Sequence, residues 1–170
     1  MERNIVIVIP SKDFNDQEYQ DIREALDSKG ATVKVTSSAR EEAVGMASTR
    51  VQPDVPLTNI SVEDYDGIIF ISGPGVVEYF NDVQVLDLAR HFYDRGKLVA
   101  AISRSVEILA RAGILETHSA TISVDHRDAL LSRNISYTGD DVTVDANVIT
   151  ASSPAHGTSF GRKIAEFLKI

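Results

Sequence analysis

The sequence predicts an α/β protein built on a doubly wound parallel sheet. Runs of strand length at residues 4–9, 68–71 and 98–102 alternate with segments in which apolar residues recur every three or four positions. These runs are almost entirely apolar, which is typical of strands that helices cover on both faces. Strands that alternate with helices in this way form a parallel sheet with helices on both sides.

Each of three predicted helices has a clear stop signal. A glycine follows the last apolar position of each one, as is common at helix ends. The helices are predicted over residues 18–29, 83–95 and 106–112, and the glycines are Gly30, Gly96 and Gly113. Two further helical patterns, at residues 125–131 and 158–168, predict a short helix and an amphipathic closing helix.

The other segments predict shorter strands. Residues 32–36 supply a second strand of the sheet. The stretch 38–60 is polar, contains Pro53 and Pro56, and so predicts a small hairpin around residues 43–57 on the edge of the sheet. Four short strands are expected near the far edge, at residues 121–124, 135–137, 142–144 and 147–150.

Length and composition indicate one domain, residues 1–170, and exclude several classes of protein. The chain has 170 residues, 43% of them hydrophobic, and a net charge of −8 without a basic cluster, so no nucleic-acid partner is expected. Its longest apolar runs are about five residues, which predicts no membrane span, no secretory leader and a cytoplasmic location. The absence of cysteine excludes disulfides, thiolate metal sites and cysteine nucleophiles.

The exit from the strand at residues 98–102 is the most specific chemical signal. The strand runs directly into Ser103, a helix follows at once, and Ala101 and Ser105 on either side are small. A nucleophile elbow has this strand–turn–helix form, because its strained turn leaves little room for neighbouring side chains. Serine is also a common helix cap, and position alone favours the alternative that Ser103 only caps the helix.

A second candidate segment is the loop Ser72-Gly73-Pro74-Gly75. Its backbone N–H groups can hold an anion at the start of a helix, although Pro74 has no N–H to offer. The lysine and hydroxyl residue of a P-loop do not follow, so a P-loop is excluded. A turn that only redirects the chain explains the same residues equally well.

No complete triad or metal site can be assembled from the sequence. His118 and His126 flank the predicted strand at residues 121–124, so either can face Ser103, although a surface position is the simpler interpretation of each. The same two histidines with Asp125 and Asp128 follow no recognised ligand spacing, so no metal is expected.

Several short motifs follow one another along nearly the whole chain. They are DYDG at 64–67, SGPG at 72–75, EYF at 78–80, GKLVAAI at 96–102, LARAGIL at 109–115, VDAN at 144–147 and IT at 149–150. In this order they resemble the ThiJ/PfpI superfamily, which includes the PfpI intracellular proteases and the parkinsonism-associated deglycase. The resemblance implies a flavodoxin-like fold of the class I glutamine-amidotransferase type.

The resemblance also implies a role for individual positions. Family members present a cysteine at the elbow, where this sequence has Ser103, and the PfpI proteases follow it with a histidine, where this sequence has Arg104. The implied catalytic positions are Ser103, Glu18 from the first loop, and Glu78, which matches an acid that PfpI proteases supply from a neighbouring subunit. The implied ligand-binding positions are Gly73, Pro74, Gly75, Arg104 and Ser123.

A serine at the elbow changes the expected chemistry. A hydroxyl needs a positioned general base, and Arg104 cannot accept a proton. We therefore expect a non-catalytic or non-classical member of the family that binds a small anionic ligand near Arg104 or acts in stress protection. The alternative is a serine-dependent hydrolase, peptidase or glyoxal-detoxifying enzyme that uses Ser103, with Glu18, His118 or His126 as its base.

Other partners follow from the fold and the resemblance. A flavodoxin-like sheet permits a bound cofactor, but no motif supports one, so no cofactor is expected. Relatives associate through the elements around the site, which implies a homodimer or larger homo-oligomer. No membrane partner is expected.

Overall fold

The computed structural model describes residues 2–170 and has a six-stranded sheet at its centre. The strands are β1 (Asn4–Val8), β2 (Lys12–Phe14), β3 (Thr32–Thr36), β4 (Ala43–Gly45), β5 (Arg50–Val51), β6 (Gly67–Phe70), β7 (Leu98–Ile102), β8 (Ser119–Ala120), β9 (Ser136–Tyr137), β10 (Val142–Asp145) and β11 (Val148–Ala151). The helices are α1 (Asp16–Asp27), α2 (Val83–Asp94), α3 (Val106–Arg111), α4 (Asp128–Leu131) and α5 (Gly157–Leu168).

The central sheet has the strand order β10-β11-β7-β6-β1-β3. All neighbours are parallel except β10 and β11, which form an antiparallel pair at one edge. The apolar residues of β1, β6 and β7 are buried on both faces of the sheet. The predicted fold class, a flavodoxin-like doubly wound sheet, is confirmed, with one antiparallel edge strand added.

Two helical layers cover the sheet. The inner faces of α1 and α5, which include Ile22, Leu26, Phe160 and Ile164, pack on one side, and α2 and α3 pack on the other. These positions recur at the three- and four-residue spacing that predicted the helices. Among residues 2–170, no helix is both long and apolar enough to cross a membrane.

The topology fixes where a site can form. The strand order reverses between β1 and β6, because β3 lies on one side of β1 and β6 on the other. Ligands of open α/β sheets bind beyond the carboxyl ends of the strands at such a switch point. Glu18 lies in the first turn of α1, Gly73 follows β6 and Ser103 follows β7, so the fold brings the three candidate segments to the same edge.

The predicted hairpin forms, but it lies outside the central sheet. β4 and β5 are antiparallel, and β4 also pairs with β2 in a separate three-stranded sheet. The edge of β3 is taken by the segment after the hairpin, since Asp54 N–H donates to the Val35 carbonyl at 2.8 Å and Val35 N–H donates to the Asp54 carboxylate at 2.7 Å. This segment blocks the edge that the hairpin was expected to extend.

A second difference concerns the strand expected at residues 121–124. The chain instead forms β8, which pairs with β9 in a two-stranded parallel sheet, and then a 3-10 turn over Val124–His126. Thr121 explains the break. Its N–H donates to the Thr150 hydroxyl at 3.0 Å and its own hydroxyl donates to the Asp140 carbonyl at 2.7 Å, so side chains replace the strand ladder there.

Asp16 fastens the hairpin to the start of α1. Its buried carboxylate accepts N–H groups of Ala47 at 2.9 Å and Thr49 at 3.0 Å. Burial acts to raise the pKa of Asp16, but hydrogen bonds from Thr49 and Ala47 outweigh it and hold the pKa below its ordinary value. The ionised carboxylate therefore stabilises the fold.

We expect Asp16→Asn to lower the free energy of unfolding by about 1.5–3 kcal/mol at neutral pH, because both N–H groups lose a charged acceptor and one of them then faces the amide NH₂ group. Because the pKa of Asp16 is lower in the folded protein than in the unfolded chain, where it is 3.8, the ionised carboxylate stabilises the fold fully above pH 3.8. This stabilisation is lost as pH falls through the folded-state pKa. Urea denaturation between pH 3 and 7 measures this difference. Asp27→Asn, at the exposed end of α1, is the control, and an equal loss in both variants would contradict the role of Asp16.

Candidate functional site

The elbow after β7 has the predicted strained geometry. Ser103 has a φ of 56°, in the left-handed region that non-glycine residues rarely adopt, and a 3-10 turn over Ser103–Ser105 leads into α3. The buried Ser105 hydroxyl accepts Ile102 N–H at 3.0 Å and lies 2.8 Å from the Phe70 carbonyl, which ties the turn to the strands below it. Ser103 itself makes no capping bond within residues 2–170, so the alternative that it caps the helix is wrong.

Glu18 is fully buried beside the loop after β6. One carboxylate oxygen accepts Ser72 N–H at 2.8 Å, and the other has no hydrogen-bond partner in the described chain. Burial raises the pKa of Glu18 from 4.5 to about 8, and the Ser72 hydrogen bond only partly offsets it. Asn15, which caps α1 through Glu18 N–H at 2.9 Å, also donates its own N–H to the Ser72 carbonyl at 2.8 Å. Glu18 is therefore a neutral acid at pH 7.

A cavity of about 270 Å³ lies between the start of α1, the loop after β6 and the turn after β7. Its wall brings together five of the residues that the sequence singled out, namely Glu18, Gly73, Pro74, Ser103 and Arg104. His126 also lines it, so of the two histidines considered as a base for Ser103 it is the one near the elbow. Met46 and Pro154 line the cavity as well, and no sequence signal pointed to either.

Arg104 brings an unneutralised positive charge to this cavity. Its Nε is buried without an acceptor, and it forms no ion pair with any residue from 2 to 170. Its guanidinium lies over the Phe80 ring, 5.5 Å from the ring centre. Arg111 lies 5.1 Å from the same ring, but Glu107 neutralises it at 2.6 Å. An aromatic ring thus holds Arg104 in place without cancelling its charge.

The other implied positions lie outside the cavity wall. Glu78 is exposed and accepts hydrogen bonds from the Ser11 backbone at 3.1 Å and from the hydroxyls of Ser11 and Ser38. Gly75 packs against the backbone of the first loop and has no role in lining the cavity. Ser123 reaches the site indirectly, since its hydroxyl is 2.7 Å from Nδ1 of the cavity residue His126.

His118 lies at the opposite edge of the sheet. Its Nε2 is 2.6 Å from the Tyr93 hydroxyl, and its Nδ1 is 3.2 Å from the Asp145 carboxylate. Asp145 is the last residue of the antiparallel strand β10 and pairs with Val148 at the start of β11, which marks the amino-terminal edge of the parallel strands. The hypothesis that His118 serves as the base for Ser103 is therefore wrong.

The chain is similar to known proteins along nearly its whole length. A model of the DJ-1/PfpI family matches residues 3–167. An uncharacterised protein of Methanocaldococcus jannaschii is 33% identical over 168 residues, covering 97% of this chain and 82% of that protein. A deglycase of Pyrococcus horikoshii is 23% identical over 164 residues, covering 96% and 99%. The structure of a ThiJ/PfpI domain protein from Brachyspira murdochii superposes with a TM-score of 0.95 at 27% identity, covering 98% of this chain and 96% of that one.

Proposed function

Because the chain belongs to the DJ-1/PfpI family, we propose that it keeps the family's pocket as a binding site for a small anionic ligand, with Ser103 in place of the family's cysteine. Arg104 is the observation that carries this proposal. A half-buried guanidinium without an ion-pair partner attracts an oxyanion, because it offers charge-assisted hydrogen bonds that no carboxylate of the described chain already takes. Its buried Nε leaves the two terminal nitrogens as the donors for a carboxylate or phosphate.

The neutral state of Glu18 supports the same proposal. A second ionised carboxylate in the cavity would repel an anion, but the raised pKa of about 8 keeps Glu18 protonated at neutral pH. Its free oxygen then offers an O–H donor to the ligand. The cavity therefore presents one cation and one neutral acid, a combination that favours a compact oxyanion.

Catalysis by Ser103 receives less support from the surrounding groups. A protonated Glu18 cannot act as a general base, and His126, whose Nδ1 lies 2.7 Å from the Ser123 hydroxyl, makes no hydrogen bond to Ser103 within residues 2–170. Pro74 offers no N–H toward a developing oxyanion, and losing one such donor costs on the order of a hundred-fold in rate. A binding role requires neither a general base nor a complete set of oxyanion donors, and the same holds for the alternative role in stress protection.

The second candidate function is a serine-dependent hydrolase, peptidase or glyoxal-detoxifying enzyme. One observation favours it: Ser103 keeps the strained φ of 56° that a nucleophile elbow imposes. Glu18, with a pKa near neutrality, would supply the base once it is ionised. This candidate therefore requires activity that rises as pH increases through about 8.

We expect Arg104→Gln to weaken the binding of acetate or inorganic phosphate about tenfold or more, because the ligand loses charged hydrogen bonds. Phe80→Leu should weaken anion binding several-fold, because the cation–π contact with Arg104 is lost. Phe80→Tyr, which keeps an aromatic ring, should retain the original affinity. Isothermal titration calorimetry at low salt measures these affinities.

The control for this experiment is Arg162→Gln, which removes one exposed positive charge from α5. It should leave the affinity close to that of the unsubstituted protein. Equal affinities in the Arg104→Gln and Arg162→Gln variants would refute a site at Arg104, as would the absence of saturable anion binding to the unsubstituted protein. The cytoplasmic location of the protein and its assembly into a homo-oligomer remain predictions.

A further inference from the structure

A second and larger cleft opens beyond the carboxyl end of β3. Its volume is about 500 Å³, and it shares no lining residue with the cavity at Ser103. Three segments form it: residues 37–40 after β3, residues 52–58 after the hairpin, and the start of α2. Small-molecule sites fall in the range of about 300–1,000 Å³, so the cleft has the size of a ligand site.

The walls of this cleft are preorganised. Besides the two bonds between Asp54 and Val35, the Thr36 hydroxyl donates to the Val55 carbonyl at 2.8 Å. On the other wall, the buried Tyr79 hydroxyl donates to the Ile9 carbonyl at 2.7 Å and accepts Ser38 N–H at 3.0 Å. The backbone of the cleft is therefore already ordered before a ligand binds, so binding carries a small entropic cost for ordering it.

Two opposite charges face the cleft without meeting each other. Arg40 makes no ion pair or side-chain hydrogen bond in the described chain, although it lines the same cleft as Asp82. Asp82 caps α2 through one oxygen, Oδ1, which accepts N–H groups of Gln84 at 3.0 Å and Val85 at 3.3 Å. Its other oxygen, Oδ2, has no partner within residues 2–170. The cleft is thus lined by the exposed guanidinium of Arg40 and by a carboxylate oxygen of Asp82, neither of which has a partner in the described chain.

We propose that this cleft binds a zwitterion of the size of a free amino acid or dipeptide. The ligand's carboxylate pairs with Arg40 and its ammonium group with Oδ2 of Asp82. A simple anion would be repelled by Asp82 and a simple cation by Arg40, whereas a zwitterion satisfies both charges at once.

The uncharged lining fits the rest of such a ligand. The amides of Gln52 and Gln84 each carry donors and an acceptor, which suits a peptide bond or a polar side chain. Pro53, Pro56 and Leu57 supply an apolar surface for its carbon atoms. This division of polar and apolar lining is typical of small-molecule sites.

The test pairs charge removal on the ligand with charge removal on the protein. Calorimetric titration compares glutamine and glycylglutamine with their N-acetyl derivatives, which lack the ammonium group, and their C-terminal amides, which lack the carboxylate. We expect the unmodified ligands to bind with a dissociation constant of about 1 mM or tighter. Each modification should weaken binding about tenfold.

The variants identify which charge each group meets. Asp82→Asn retains an oxygen for the helix cap, so the fold is kept, and it should weaken the parent ligands but not the N-acetyl forms. Arg40→Gln should weaken the parent ligands but not the amides. Lys163→Gln and Glu166→Gln, an exposed pair on α5, are the charge-matched controls. The proposal is overturned if parent and modified ligands bind alike, if the two cleft variants match the controls, or if the ligands show no saturable binding.

Discussion

Glu18→Gln is expected to stabilise the protein, by about 3 kcal/mol at pH 7 and by about 5 kcal/mol above pH 8. In the unfolded chain this carboxyl titrates near 4.5, whereas in the fold burial raises its pKa to about 8. Between these values the folded state binds a proton that the unfolded state has released. The free energy of unfolding therefore falls as pH rises from 4.5 to 8, and glutamine, which does not ionise, removes that fall.

Chemical denaturation at intervals from pH 4 to 9 measures this effect. The variant should match the unsubstituted protein near pH 4 and become progressively more stable above it. Anion affinity provides an independent readout, since it should fall above pH 8 in the unsubstituted protein and stay constant in Glu18→Gln. The exposed Glu166→Gln is the control, and parallel stability curves for the Glu18 variant and the unsubstituted protein would contradict a neutral buried acid.

Gly75→Ala is expected to destabilise the fold by about 3 kcal/mol or more. A Cβ at this position would overlap the Lys12 carbonyl oxygen, lie 2.9 Å from the Lys12 carbonyl carbon and lie 3.2 Å from Cβ of Pro10. Because the obstacle is backbone, it cannot move away as a flexible side chain would. β2 and the turn after β6 would have to separate, which would also disturb the contact between Glu18 and Ser72.

The control for Gly75 is Gly30→Ala. Gly30 has a φ of +78° but open space around its missing Cβ, so alanine there carries only the backbone cost of about 1 kcal/mol. Thermal and urea denaturation of both variants separates steric overlap from backbone strain. Equal losses of stability in the two variants would show that β2 and the turn after β6 tolerate separation at Gly75.

The parts of this protein that could be predicted from sequence have local causes. The apolar run of β7, the immediate start of the next helix and the small residues Ala101 and Ser105 all point to a strained turn at Ser103. The glycines after the helices likewise marked where the chain turns. Glu18 could not be found by such a pattern, and only the resemblance to a known family singled it out.

The remaining features depend on contacts between distant segments. Glu18 and Ser72 are 54 positions apart in the sequence, so neither the burial of the carboxyl nor its raised pKa is visible in local patterns. Phe80 holds Arg104 from another loop, and no periodicity relates the two. The hairpin likewise lies outside the central sheet because of a contact between distant segments. Asp54 occupies the edge of β3 through backbone and side-chain hydrogen bonds, which composition does not reveal.

We propose that the pocket at Ser103 binds a ligand and does not carry out the cysteine chemistry of the family. A comparison of reaction rates between two proteins tests the absence of catalysis. The unsubstituted protein and Ser103→Ala are assayed side by side with a fluorogenic peptide, a p-nitrophenyl ester and methylglyoxal, at pH 7 and 8.5. We expect rates for both proteins that match the buffer alone. Robust turnover by the unsubstituted protein that disappears in Ser103→Ala would contradict it and establish Ser103 as a nucleophile.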